Sequence, residues 1–136
     1  MSYINIASVV YRFQQSDQTE IQVLLVQDLD SKLWRFPHGR VKLGKSLKVT
    51  VESYVYQITS EQVIFRKKLS TNRNADASED TVYSLCKLLR HTSKDKKEHI
   101  WLPYFPARNK LSIIEEQEVI DLAFLAILEQ KGNSSP

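Results

Sequence analysis

Apolar residues recur in five short segments between residues 4 and 104, and a polar stretch separates each segment from the next. Short runs rich in Ile, Val, Leu, Tyr and Phe are typical of β-strands. The second run, Ile21–Gln27, is almost continuously apolar and therefore predicts a strand buried in the middle of a sheet. The predicted strands are 4–13, 21–27, 62–70, 81–89 and 99–104.

Two other segments show the three- and four-residue spacing of amphipathic helices. The first stripe consists of Leu47, Val51, Val55 and Ile58. It predicts a helix of about four turns that begins after an N-cap at Ser46. Residues 115–128 predict a second helix, and we expect residues 132–136 to be a disordered tail. The predicted buried side of this second helix consists of Val119, Ile120, Leu122, Ala123, Ala126 and Ile127.

This order of elements predicts an α/β fold of the α+β type, in which helices flank a curved mixed sheet. With 136 residues the chain is long enough for one domain, which we assign to residues 1–131. Its composition, 42% hydrophobic and 26% charged, is that of a globular protein, and no run is apolar enough to span a bilayer. The single cysteine, Cys86, favours a reducing compartment, so we expect a cytoplasmic protein without a membrane partner.

The segment 33–46, LWRFPHGRVKLGKS, is unusual in this chain. It holds Gly39 and Gly44, two of the three glycines, and several cations but no carboxylate. Glycines so placed indicate either a positive φ or close packing of the backbone. The cations indicate either a phosphate-binding site or an ordinary solvated loop.

The same segment has the spacing W-x-x-P-x-G-x-x-x-x-G-x-S, follows a strand and precedes a helix, and in this it resembles the Nudix hydrolase family. The later segments HIWLPY and EEQEVIDLAFLAIL are similar to that family's closing strand and last helix. The resemblance covers nearly the whole chain. It implies a Nudix-like α/β/α sandwich and, for a standard member, hydrolysis of a diphosphate with Mg²⁺ or Mn²⁺.

The family's signature is a glycine, five residues, Glu, seven residues, Arg-Glu, an apolar residue, any residue, Glu-Glu, any residue and Gly. Counted from Gly39, only Gly39 itself and the apolar Val55 match this signature. The glutamates of the signature are all replaced, so the resemblance implies a degenerate box without its metal ligands. The residues at the glutamate positions are Lys45, Tyr54, Gln57 and Ile58, while Ser53 replaces the arginine and Ser60 the last glycine.

We therefore expect a pseudoenzyme without a metal cofactor, namely a module that binds a nucleotide or RNA phosphate or a protein partner. Tyr54 is expected to fill the vacated site, and Pro37, Gly39 and Gly44 to maintain the loop. The candidate phosphate-binding residues are Arg35, His38, Arg40, Lys42 and Lys45.

Two alternatives stay open. The first is a divergent hydrolase of a nucleoside diphosphate derivative, which requires Mg²⁺ or Mn²⁺ at a shifted site. Its candidate ligands and catalytic acids are Glu52, Glu61, Glu115 and Glu118. The second is a homodimer that pairs through exposed strands.

Overall fold

The computed structural model describes residues 3–13, 20–42, 44, 46–72, 80–90 and 98–133. Its strands form one seven-stranded sheet in the order β3-β2-β1-β6-β5, with β4 paired to β1 and β7 paired to β2. The strands are β1 Tyr3–Phe13, β2 Ile21–Gln27, β3 Trp34–Arg35, β4 His38–Lys42, β5 Gln62–Asn72, β6 Thr81–Arg90 and β7 His99–Pro103. Since β1 and β6 are parallel and the other pairs antiparallel, the sheet is mixed.

Helices cover both faces of the sheet, and successive residues of β1 pack alternately against the helices on one face and the other. The helices are α1 Leu47–Thr59, α2 Tyr104–Lys110 and α3 Ile114–Asn133. Ile6 and Val10 of β1 belong to the apolar cluster that contains Val51 and Val55 of α1. Ala7, Val9 and Tyr11 point the other way, into the larger cluster formed with α2 and α3. The predicted α+β fold, an α/β/α sandwich around a mixed sheet, is confirmed.

The strongly patterned elements lie where the sequence places them. Ile21–Gln27 is β2, residue for residue, and Ser46 caps α1 by accepting a hydrogen bond from the Val49 N–H at 3.1 Å. The helix ends at Ser60, a non-glycine residue with a left-handed backbone (φ 63°, ψ 15°). Within the described residues, no helix is both long and apolar enough to cross a membrane.

Other features differ from the prediction. Part of the glycine segment is strand β4, which runs antiparallel to β1 with Ile6 opposite Gly39. Tyr104 belongs to the short helix α2 rather than to the preceding strand. Leu122 was predicted to be buried, which is wrong, because this side chain points away from the sheet. Helix α3 continues to Asn133 and so includes residues 132 and 133, while 134–136 lie outside the described residues.

Candidate functional site

The face of α1 that would hold metal ions in a standard Nudix box is packed against β4 through Tyr54. The Tyr54 hydroxyl lies 3.4 Å from the His38 carbonyl oxygen, to which it donates. A Cβ atom added to Gly39 would lie only 1.7 Å from the Tyr54 hydroxyl oxygen. Gly39 is therefore required by close packing. Neither of the two described loop glycines has a positive φ, so that explanation is wrong for them.

The rest of the loop is organised by backbone hydrogen bonds. The Gly44 N–H donates to the Thr50 hydroxyl at 3.0 Å, and that hydroxyl donates to the Ser46 carbonyl at 2.7 Å. Pro37 is buried, and its carbonyl accepts from the Ser8 N–H of β1 at 2.9 Å. These contacts hold Gly44 against the first turn of α1 and Pro37 against β1.

The residues at the metal positions do not fit a divalent cation. Hard cations need several oxygen ligands, preferably anionic ones. Ser53 and Gln57 are exposed neutral side chains, Ile58 is apolar, and the Tyr54 hydroxyl is directed at β4. In the described parts of the chain, no group of three or more His, Cys, Asp or Glu side chains is placed to hold a metal ion.

The acids considered for a shifted metal site lie on different faces of the sheet. Glu52 of α1 forms a salt bridge with Lys48 and accepts from the Phe65 N–H at 2.8 Å. Glu61 is buried just after the same helix. Glu115 and Glu118 are exposed at the start of α3, which packs on the opposite face. The structure does not bring these four carboxylates together.

The candidate cations divide into two groups, and Lys45 lies outside the described residues. Arg40 and Lys42 are both exposed on β4, where alternate residues share one face. The guanidinium of Arg40 stacks on the ring of Tyr3, 4.3 Å from its centroid, and Lys42 lies opposite Tyr3 in the β1–β4 pair. We call Tyr3, Arg40 and Lys42 the β1–β4 surface.

Arg35 and His38 belong to a separate, half-buried network. Arg35 donates to the Glu116 carboxylate (Nε to Oε1, 3.4 Å) and to His38 (Nη1 to Nε2, 2.9 Å). The Nδ1 atom of His38 lies 2.8 Å from the Phe36 carbonyl oxygen. Because a carbonyl oxygen only accepts, the proton of a neutral His38 is assigned to Nδ1, and Nε2 accepts from Arg35. Burial lowers the pKa of His38 and outweighs the hydrogen bond to Phe36, which raises it, while the Arg35 charge lowers it further.

Glu116 is the central residue that the sequence analysis missed as a site residue. It is fully buried, and its Oε2 atom has no hydrogen-bond partner among the described residues. Burial raises the pKa of Glu116 to about 7, against the lowering effect of Arg35. One signal could have identified it. Glu116 precedes Val119 and Ile120 by three and four positions, so it lies on the apolar stripe of α3.

A groove of about 560 Å³ lies beside the C-terminal half of α1, and Ile58 and His38 contribute to its wall. Asp28, Asp30 and Glu98 also line it, and none of the described lining residues is a lysine or an arginine. The groove next to the box positions is therefore acidic. Such a surface repels phosphate groups rather than attracting them.

The β5 edge of the sheet offers little for a homodimer through exposed strands. β5 ends the strand order and carries three consecutive exposed cations, Arg66, Lys67 and Lys68. Its pairing with β6 is interrupted by register shifts. Charged side chains and bulges on an edge strand disfavour pairing with another strand.

Comparison with solved structures defines the fold. An Ap4A hydrolase from C. elegans superposes with a TM-score of 0.72 at 17% identity, covering 94% of this chain and 99% of that one. A mutT/nudix family protein from Listeria innocua superposes with a TM-score of 0.73 at 14% identity, covering 93% of this chain and 94% of that one. The NUDIX domain of Shewanella oneidensis NrtR, solved with ADP-ribose, superposes with a TM-score of 0.63 at 18% identity. This match covers 91% of this chain and 87% of that one.

The chain therefore has a Nudix-like fold, and the resemblance seen in the glycine segment is confirmed for the fold. No protein-family model matches the sequence, and no curated protein matches it either.

Proposed function

We propose that this chain is a non-catalytic Nudix-fold module that binds the phosphate groups of a nucleotide or an RNA strand without a metal ion. The observation that carries the non-catalytic part is the contact between Tyr54 and Gly39. It puts a phenol ring on the face of α1 where the standard box presents carboxylates. The separation of the remaining acids supports the same proposal.

The β1–β4 surface supports the phosphate-binding part. Two cations project from neighbouring positions of one strand face, and a guanidinium and an ammonium can neutralise phosphate directly. Tyr3 adds an exposed aromatic ring next to them, and aromatic rings stack on nucleobases. Among the structural neighbours, the NrtR domain was solved with ADP-ribose, which makes a nucleotide a reasonable ligand class for this chain.

The location of the ligand follows from charge. The groove beside Ile58 is lined by acids, so a phosphate group has no favourable contact there. The β1–β4 surface carries the opposite charge. We therefore assign binding to the β1–β4 surface rather than to the groove.

A thermal-shift titration with ADP-ribose, Ap4A and a short RNA, each with EDTA, Mg²⁺ or Mn²⁺, tests this proposal. We expect at least one of these ligands to stabilise the protein equally in all three conditions, and less so as salt is added. The double variant Arg40→Glu, Lys42→Glu should lose this stabilisation. The matched control is Lys67→Glu, Lys68→Glu, which makes the same charge change on β5 and should retain it.

Two results would overturn the proposal. Stabilisation that requires Mg²⁺ or Mn²⁺, accompanied by cleavage of the nucleotide, would establish the hydrolase alternative. Equal loss of binding in the β4 and β5 variants would show that only the overall charge matters and that the β1–β4 surface is not the site.

A further inference from the structure

Helix α3 presents a row of exposed leucines to the solvent. Leu122, Leu125 and Leu128 are 43%, 60% and 57% exposed. They follow one another at three-residue steps, so their side chains are neighbours on one face of the helix. The opposite face of α3, which includes Ala123 and Ile127, is packed on the sheet. This arrangement leaves a contiguous apolar face on the outside of the domain.

Helix α2 packs against α3 next to this face. The ring of Tyr104 contacts the ring of Phe105, with centroids 5.0 Å apart, and the ring of Phe124 on α3, with centroids 4.3 Å apart. Phe105 is 70% exposed, so next to Tyr104 it presents an aromatic ring to the solvent. The guanidinium of Arg108 pairs with Asp121 at 3.0 Å and fastens α2 to α3. We call Phe105, Leu122, Leu125 and Leu128 the α3 outer face.

The charges around the α3 outer face are mostly negative, because the cation Arg108 of α2 is paired with Asp121. Between residue 114 and Gln130, helix α3 contains no lysine or arginine. Glu118 and Glu129 are both exposed. Because successive residues of an α-helix are rotated by about 100°, both lie within about 40° of Leu125 around the helix axis. They flank the leucines on the N-terminal and C-terminal sides. The acidic residues of α3 are Glu115, Glu116, Glu118, Asp121 and Glu129.

These charges argue against a second copy of the chain as the occupant. In an antiparallel pair of α3 helices centred on Leu125, Glu129 of each copy would face the Asp121–Arg108 ion pair of the other, which offers it no net positive charge. In a parallel two-fold pair, Glu118 and Glu129 would each oppose themselves. Like charges facing one another across an interface are unfavourable. A partner with positive charges beside an apolar stripe is complementary to the same surface.

We propose that the α3 outer face is the docking surface for a basic amphipathic helix of a partner protein. The apolar stripe of that helix packs against Leu122, Leu125 and Leu128, and its Lys or Arg side chains reach Glu118 and Glu129. Binding an amphipathic helix through apolar anchors at three- and four-residue spacing is a recurring mode of peptide recognition. This surface is distinct from the β1–β4 surface and does not depend on phosphate binding.

Fluorescence anisotropy with two labelled synthetic peptides tests the proposal. Both form an amphipathic helix with the same leucine stripe, and they differ only in having Lys or Glu beside that stripe. We expect the Lys peptide to bind the full chain and the Glu peptide to bind at least about tenfold more weakly, with the difference reduced by salt. The double variant Glu118→Lys, Glu129→Lys should reverse this preference.

Two leucine variants distinguish binding at the α3 outer face from nonspecific binding to exposed apolar side chains. Leu125→Ser should weaken binding of the Lys peptide by at least about tenfold, as expected for a central anchor. Leu89→Ser is the matched control, because Leu89 is 67% exposed but lies on β6, outside the α3 outer face. It should leave binding unchanged. Both variants replace exposed side chains, and circular dichroism checks that they are folded.

Three results would overturn the proposal. The first is equal binding of the two peptides, or binding of neither. The second is equal loss of binding in Leu125→Ser and Leu89→Ser. The third is a concentration-dependent dimer in analytical ultracentrifugation that disappears in Leu125→Ser, since it would assign the surface to a second copy.

Discussion

Replacing Glu116 by Gln should make the stability of the protein depend less on pH. Glu116 is fully buried, its Oε1 atom accepts from Arg35 at 3.4 Å, and its Oε2 atom has no described partner. Burial dominates over the Arg35 charge and raises the pKa of this carboxyl from 4.5 to about 7. Gln has nearly the same shape as a protonated Glu but does not ionise in this range.

The direction in which the free energy of unfolding changes with pH follows from the protons bound by the folded and the unfolded chain. Below pH 4.5 the carboxyl is protonated in both the folded and the unfolded chain, so its ionisation has no effect on stability. Between pH 4.5 and about 7 the unfolded chain loses this proton while the folded chain keeps it, and the free energy of unfolding falls as pH rises. At about 1.4 kcal/mol for each pH unit in this window, the loss reaches about 3 kcal/mol near pH 8.

Urea denaturation of the wild type and of Glu116→Gln, from about pH 4.5 to about pH 8, measures this loss. The stability of the variant relative to the wild type should increase by about 3 kcal/mol over this range. Burial lowers the pKa of His38, which is present in both proteins, so it enters the difference only through the Arg35 side chain that it shares with Glu116. The control Glu118→Gln removes an exposed acid of the same helix and should give a difference that hardly varies with pH. A difference for Glu116→Gln that is equally constant would refute the reasoning.

Two further predictions concern Gly39, which packs against Tyr54 of α1, and Ser60, the C-cap of α1. Gly39→Ala should destabilise the protein by about 1–3 kcal/mol, because the new Cβ overlaps the Tyr54 ring. In a double-mutant cycle this cost should largely vanish in a Tyr54→Ala background, and purely additive effects would contradict the packing account. Ser60→Gly should raise the free energy of unfolding by up to about 1 kcal/mol, because glycine adopts the left-handed backbone without steric cost. Unchanged or lower stability of this variant in urea would contradict that reason.

Elements with a strong local pattern could be predicted from the sequence. The run Ile21–Gln27 is almost continuously apolar because both of its faces are covered by helices. Helix α1 was identified from its apolar stripe and from Ser46, whose hydroxyl caps the first turn. These signals are carried by residues close together in the chain, so a sequence shows them directly.

The features that were missed depend on contacts between distant residues. Strand β4 contains Gly39 and follows Pro37, residues typical of turns, and it is a strand because β1 supplies its partner. The hydrogen bond between Arg35 and Glu116 joins residues 81 positions apart, so no local spacing predicts it. The cations of the glycine segment read as one cluster in the sequence, yet β4 and the Glu116 network separate them. Strand alternation and burial, rather than composition, decide where each side chain points.

The central claim is tested most directly by isothermal titration of the protein with ADP-ribose or Ap4A, whichever stabilises it more. The titration is run once in EDTA and once in excess Mn²⁺, and phosphorus NMR of the mixture follows. The account predicts the same Kd in both conditions and an intact diphosphate after prolonged incubation. Binding that appears only with Mn²⁺, together with new phosphomonoester signals, would contradict it.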